Sequence, residues 1–118
     1  MKIEVKNTKM LFLYRSILFM SVDFETNKEE LKSVVNALNI KNKKVAIDAT
    51  CGNGHDTLFL KDYFDKVYAF DIQELAIKRC KKKFTDISNI ILIHDNFINI
   101  TNHVSENVDC ILYNLGFL

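Results

Sequence analysis

Four short apolar runs, each ending in a polar residue and each separated from the next by a stretch of helical spacing, constrain this chain more than any other feature. The first is Val45-Ala46-Ile47, ending at Asp48. The second is Val67-Tyr68-Ala69-Phe70, ending at Asp71. The third is Ile90-Ile91-Leu92-Ile93, ending at His94-Asp95, and the fourth runs from Val108 to Tyr113 and ends at Asn114-Leu115-Gly116. Between them, Leu58, Phe59 and Tyr63 fall at helical spacing. Gln73 to Phe84 carries Ile77, Cys80 and Phe84 on one side, and a short helix is expected near Phe97, Ile100 and Val104. Continuous apolar strands are buried on both faces, and helical segments between them make parallel crossovers of right-handed sense. The expected fold class is therefore α/β, a doubly wound, mostly parallel, Rossmann-like sheet of which only the first four strands are present. Such sheets bind ligands at the carboxyl ends of their strands, which is where these four runs place their polar residues.

The region before the runs is different. Thr26-Asn27-Lys28-Glu29 has capping-box spacing, and Leu31, Val34, Val35 and Leu38 share a face, which predicts a helix over 27–39. The chain thus reads as a single partial domain: an N-terminal helical lead over 1–42 and a ligand-binding half over 43–118. The apolar stretch Met10 to Met20 is interrupted by Arg15, is too short to span a bilayer and lacks a small-x-small cleavage site. A helix or strand packing on the domain is expected there, with no membrane role.

Composition adds exclusions. The length of 118 residues suits one small domain, and a net charge of +1 creates no field that marks the whole chain as a binder of nucleic acid or membrane. Cys51, Cys80 and Cys110 are odd in number and widely spaced, which is no disulfide framework, so a reducing cytoplasm is the default. Cys51 and His55 lack a second pair at ligand spacing, and no metal is expected. The basic cluster Lys78, Arg79, Lys81, Lys82, Lys83 is either a solvated helix face or an RNA contact.

The loop Asp48-Ala49-Thr50-Cys51-Gly52-Asn53-Gly54 carries the most specific chemistry. Glycine lets a backbone approach a ligand, and the helix expected to start near His55 directs its first N–H groups at the same place. A dinucleotide turn would read G-x-G-x-x-G, but the third position here is Thr57, and an acidic residue, Asp48, precedes the turn. That arrangement suits a ligand with an amino-acid end, such as S-adenosylmethionine (SAM). Asp48 would meet the ammonium, and the N–H groups of the turn the carboxylate. Asp71 can accept both ribose hydroxyls, a device that nicotinamide and SAM enzymes share, or can cap the following helix. Asp95 can accept from the adenine amino group or cap the short helix, and Ile72 or Phe97 can cover the ring. Asn114 would lie beside the methyl group.

These residues carry a family resemblance. VAIDATCGNGHDTLFLK (Val45 to Lys61) resembles the SAM-binding segment of a bacterial rRNA methylase family whose members act as tRNA wobble-uridine methyltransferases. VYAFDIQELAI, LIHDN and YNLGFL are similar to that family's next three strand ends, and the likeness covers roughly 43–118. The resemblance implies the class I SAM-dependent methyltransferase fold, SAM as cofactor, and methyl transfer to the aminomethyl nitrogen of a modified uridine in tRNA. It implies Asp48, Ala49, Gly52, Asn53 and Gly54 as the SAM turn, Asp71 and Gln73 on the ribose side, Asp95 on the adenine side, and Asn114 at the transfer site. Family members continue past the fourth strand into a glycine-rich loop and further strands. This chain stops at Leu118. The fourth strand is accordingly expected to be an open apolar edge that invites a second copy or a complementing chain. A nicotinamide-type nucleotide binder and a non-catalytic fragment are the competing readings.

Overall fold

The alternation predicted from the runs appears in the computed structural model, which describes residues 9–13, 32–33, 36 and 39–114. Its elements are β1 (Lys9–Leu13), β2 (Val45–Asp48), α1 (His55–Tyr63), β3 (Lys66–Asp71), α2 (Glu74–Lys83), β4 (Ile90–His94), a short 3₁₀ helix (Phe97–Asn102) and β5 (Cys110–Asn114). All neighbouring strands are parallel, in the order β1-β5-β2-β3-β4.

Side-chain alternation along each strand sorts the core into layers. Ala46, Val67, Cys110 and Leu112 pack with Phe59, Leu60 and Phe64 around α1. Ala69 continues that face toward α2, with Ile77, Cys80 and Phe84. Val45, Ile47, Tyr68, Phe70 and Ile111 point the other way, under Val104, Val108, Phe97 and Ile100. The α1 and α2 crossovers step outward from β2 to β3 to β4, and the chain then returns to set β5 on the far side of β2. The direction of winding therefore reverses between β2 and β5, and a crevice opens at the carboxyl ends of strands at such a reversal.

Two expectations are corrected here. The sheet has five strands among the described residues, not four, because Lys9–Leu13 is a strand, the second of the two forms expected for the Met10 run, inside a lead otherwise read as helical. It pairs with β5 from Lys9↔Cys110 to Leu13↔Asn114. The fourth apolar run is therefore interior: its backbone groups find partners on β1 as well as β2, and the outermost strands are β1 and β4. The open edge expected at β5 is filled by the chain itself. Of the helix expected over 27–39, Lys32, Ser33 and Asn36 are helical, and Asn39, at φ 52°, takes the left-handed turn that commonly closes a helix. The rest of that helix, the remainder of the Met10–Met20 run and 115–118 lie outside the described residues. Among the described residues no helix is long and apolar enough to cross a membrane.

Candidate functional site

Strand alternation decides where Asp48 goes. It lies two residues beyond Ala46, on the face covered by α1, and is fully buried. Its Oδ2 accepts from the Thr57 hydroxyl at 2.7 Å and its Oδ1 from the Thr50 N–H at 3.2 Å. Burial pushes its pKa well above the usual carboxylate range, and the nearby Asp56 carboxylate adds to the rise, while the hydrogen bonds from Thr57 and Thr50 act in the opposite direction. A carboxylate held under that tension gains from any ammonium brought beside it. Each of its oxygens retains a lone pair for that purpose.

The turn that follows is pinned on every side. The N–H of Ala49 donates to Leu112 O, that of Cys51 to Phe70 O at 2.8 Å, and that of Gly54 to Cys51 O at 2.7 Å. Gly52 donates to Asp71 Oδ2 at 2.9 Å. Both glycines have left-handed backbone, φ 51° at Gly52 and 86° at Gly54, but they serve different ends. A Cβ on Gly54 would stand 2.6 Å from Phe84 Cζ and 3.2 Å from Cys80 Sγ, so this glycine is required by the packing of α2. A Cβ on Gly52 would meet nothing within 4 Å, so that face of the turn is open to a ligand.

Asp71 ties the turn to the entry of α2. Its Oδ1 accepts from the Gln73 N–H at 2.9 Å at the start of α2, and its Oδ2 holds the turn through Gly52. The Cys51 thiol also donates weakly to Oδ2, at 3.9 Å, so Oδ1 is the oxygen with one acceptor position left. Beside it, Gln73, Ile72 and Leu75 are exposed, the last two unusually so for large apolar side chains (65% and 73%). Phe97 is half-buried, edge-on to Phe70 and Tyr113, whereas Ile72 is exposed.

Asp95 is more heavily engaged than expected. Its Oδ1 accepts from the Asn96 N–H and from Asn99 Nδ2 (2.8 Å), and its Oδ2 pairs with His103 Nε2 at 2.8 Å. The bond to His103, then those from Asn99 and Asn96, pull its pKa down to about 2. The side chain that caps the 3₁₀ helix is its neighbour Asn96, which accepts from the Ile98 N–H at 3.0 Å. Asn114 ends β5, opposite Leu13 of β1, at the point where the winding reverses. Asp48, Ala49, Gly52, Asn53, Gly54 and Asp71 thus converge, with Asn114 at the neighbouring strand end, while Asp95 and Gln73 stand at the margin.

Four residues contribute that the sequence does not single out for the site. Thr57 was noted only as a missing glycine. Its signal was its place in the first turn of a helix that must cover β2. Arg79 donates to Asn53 Oδ1, and Lys83 donates to Asn53 O at 2.9 Å, so two members of the basic cluster brace the turn rather than face water alone. Their spacing of four residues was the legible hint. His103 carried no signal at all.

A family model described as the MraW methylase family matches residues 30–117. The chain belongs to the MraW methylase family. Ribosomal RNA small subunit methyltransferase H of Mycoplasma mycoides subsp. mycoides SC is 41% identical over 95 residues, covering 73% of this chain and 30% of that protein. The protein of the same name from Clostridium botulinum strain Okra is 38% identical over 93 residues, with the same coverage. The chain therefore spans about 30% of the length of these curated relatives. Among solved structures, SMU.1697c from Streptococcus mutans, in complex with SAH, is 39% identical with a TM-score of 0.66, over 77% of this chain and 53% of that one. An rRNA methylase from Streptococcus thermophilus is 34% identical with a TM-score of 0.63, over 84% of this chain and 54% of that one. These likenesses bear out the α/β sheet expected from the runs and the methyltransferase fold that the resemblance implied, while the family matched is the MraW methylase family rather than one named for tRNA wobble uridine.

Proposed function

We propose that this methylase-family chain binds SAM and forms the cofactor-binding part of an RNA methyltransferase. The observation that carries the reading is the pairing of a buried carboxylate, Asp48, with a turn whose Gly52 face is open. In this reading Asp48 takes the ammonium. The turn from Ala49 through Gly52 and Asn53 to Gly54 takes the carboxylate on its open face, with the Asn53 N–H as the donor, since those of Ala49, Thr50, Cys51, Gly52 and Gly54 already donate within the protein; Asp71 and Gln73 take the ribose, and Ile72 the adenine face. Asp95 accepts from the adenine amino group through Oδ2, the oxygen with one donor rather than two. Bound SAM supplies an electrophilic methyl group on a sulfonium, and the protein's part is to hold nucleophile and methyl in line. Asn114, at the reversal point, orients the nucleophile, and no acid or base is assigned.

The names of the curated relatives point to small-subunit ribosomal RNA, which makes RNA the substrate class. The finer reading, transfer to the aminomethyl nitrogen of a tRNA wobble uridine, rests on the family resemblance that the DATCGNGHDT string of Asp48 to Thr57 carries. Calorimetric titration of the purified chain with SAM is expected to show binding, and a flat trace on folded protein overturns the proposal. Label from methyl-tritiated SAM, followed into tRNA and into small-subunit rRNA, separates the two substrates. Binding without label in either would reduce the chain to a SAM-binding fragment. Binding of a nicotinamide dinucleotide in place of SAM would favour the nucleotide-binder reading.

A further inference from the structure

Position 57 is where a dinucleotide-binding turn would carry its third glycine, which serves close packing of helix on strand. Here the residue is a threonine, fully buried, in the first turn of α1. It uses the space between α1 and β2 for a 2.7 Å hydrogen bond from its hydroxyl to Asp48 Oδ2. The second donor to that carboxylate is the Thr50 N–H at 3.2 Å, a longer bond within the same loop.

We propose that Thr57 is a positioning residue for the cofactor. Its hydroxyl locks the Asp48 carboxylate in one orientation, so that the amino-acid end of SAM meets a pre-set anion, and a ligand with a phosphate there meets repulsion. The proposal rests on the SAM-binding reading above and adds the device by which the turn chooses an ammonium over a pyrophosphate. The electrostatics agree. Burial and the Asp56 carboxylate favour a protonated Asp48, and the hydrogen bond from Thr57 favours the ionised form. Without that hydroxyl, Asp48 would have one weak donor, a free rotamer and a stronger tendency to hold a proton. Each of these weakens attraction for a cation.

A merely structural role makes a different prediction. If Thr57 only fills space under α1, its loss should weaken every ligand of the site alike. Methylthioadenosine carries the adenosine and the sulfur of SAM but lacks the amino-acid end, so it separates the two roles. In calorimetric titrations of the full chain, Thr57→Val should lower SAM affinity about tenfold to a hundredfold, the range for a hydrogen bond to a charged group. Methylthioadenosine affinity should change by less than about threefold, well below that range. Thr57→Ser, which keeps the hydroxyl, should restore SAM affinity to near the wild-type value. If Thr57→Val does not fold by thermal melting, Thr57→Ala carries the same comparison with less crowding of the carboxylate. Equal loss for both ligands, or failure of Thr57→Ser to rescue, overturns the proposal and leaves SAM binding intact. A folded wild-type chain that binds neither ligand overturns the cofactor reading and this proposal with it.

Discussion

Gly52 and Gly54 stand two residues apart with the same sign of φ, yet substitution should separate them. Gly54→Ala adds a left-handed penalty of about 1–2 kcal/mol and forces a methyl group to 2.6 Å from the Phe84 ring. Overpacking of that kind costs about 1–3 kcal/mol more, so urea denaturation should show a loss of roughly 3 kcal/mol. Gly52→Ala carries only the backbone penalty, because no atom lies within 4 Å of the new methyl. Its stability loss should stay near 1 kcal/mol, while SAM affinity falls sharply because the methyl enters the ligand's approach. Equal stability losses for the two variants would show that Phe84 yields. The sequence presented these residues as equivalent, since only the neighbours across the fold distinguish them.

Helix α2 links the cofactor turn to the rest of the domain. Its apolar side, Ala76, Ile77 and Cys80, is buried against the sheet, as the spacing predicts. Its basic side does something that spacing could not reveal, since Arg79 and Lys83 both reach Asn53. Exposed polar bonds of this kind contribute little to global stability. Removing both in Arg79→Ala/Lys83→Ala should leave the melting temperature within a degree or two, the scale of a surface substitution. It should weaken SAM binding several-fold in calorimetry by loosening the turn. An unchanged affinity would return these side chains to the solvated face first expected of them. A second element effect concerns Glu106, which accepts from Lys66 Nζ at 2.8 Å and from Tyr68 OH at the opposite end of the sheet. The bond from Lys66, then that from Tyr68, lowers its pKa below the usual 4.5. A lowered folded-state value means stability present in full above pH 4.5 and lost as pH falls through the depressed value. Glu106→Gln mimics the protonated form, so its melting temperature should lie below wild type at neutral pH and converge with it in acid. A gap that persists in strong acid would point to packing rather than charge.

For the whole molecule, the strand β1 changes the outlook. A domain ending its sheet at β5 would present an apolar, unpaired edge, and such edges recruit other chains. Lys9–Leu13 supplies the missing partner from within the chain. Deletion of residues 1–13 should therefore expose β5 and produce concentration-dependent association in size-exclusion chromatography with light scattering. A deletion variant that stays the size of the full chain and melts normally would show that β1 contributes nothing to guarding that edge.

How much was legible depends on the range of each interaction. The runs ending at Asp48, Asp71, His94 and Asn114 determined the order of strands and helices, because hydrophobic periodicity is a local property written in consecutive residues. The same runs brought Asp48, the turn and Asp71 to one edge, since a parallel sheet aligns the ends of its strands. The pairing of β1 with β5 needed tertiary structure, because about a hundred residues separate Lys9 from Cys110 and no local pattern selects a partner across that distance. The same is true of Asp95 and His103, whose contact depends on how the 3₁₀ helix closes. Thr57 lies between these cases. Its type and position were plain in the sequence, but the contact of its hydroxyl with Asp48 depends on how α1 docks on β2, and packing alone sets that.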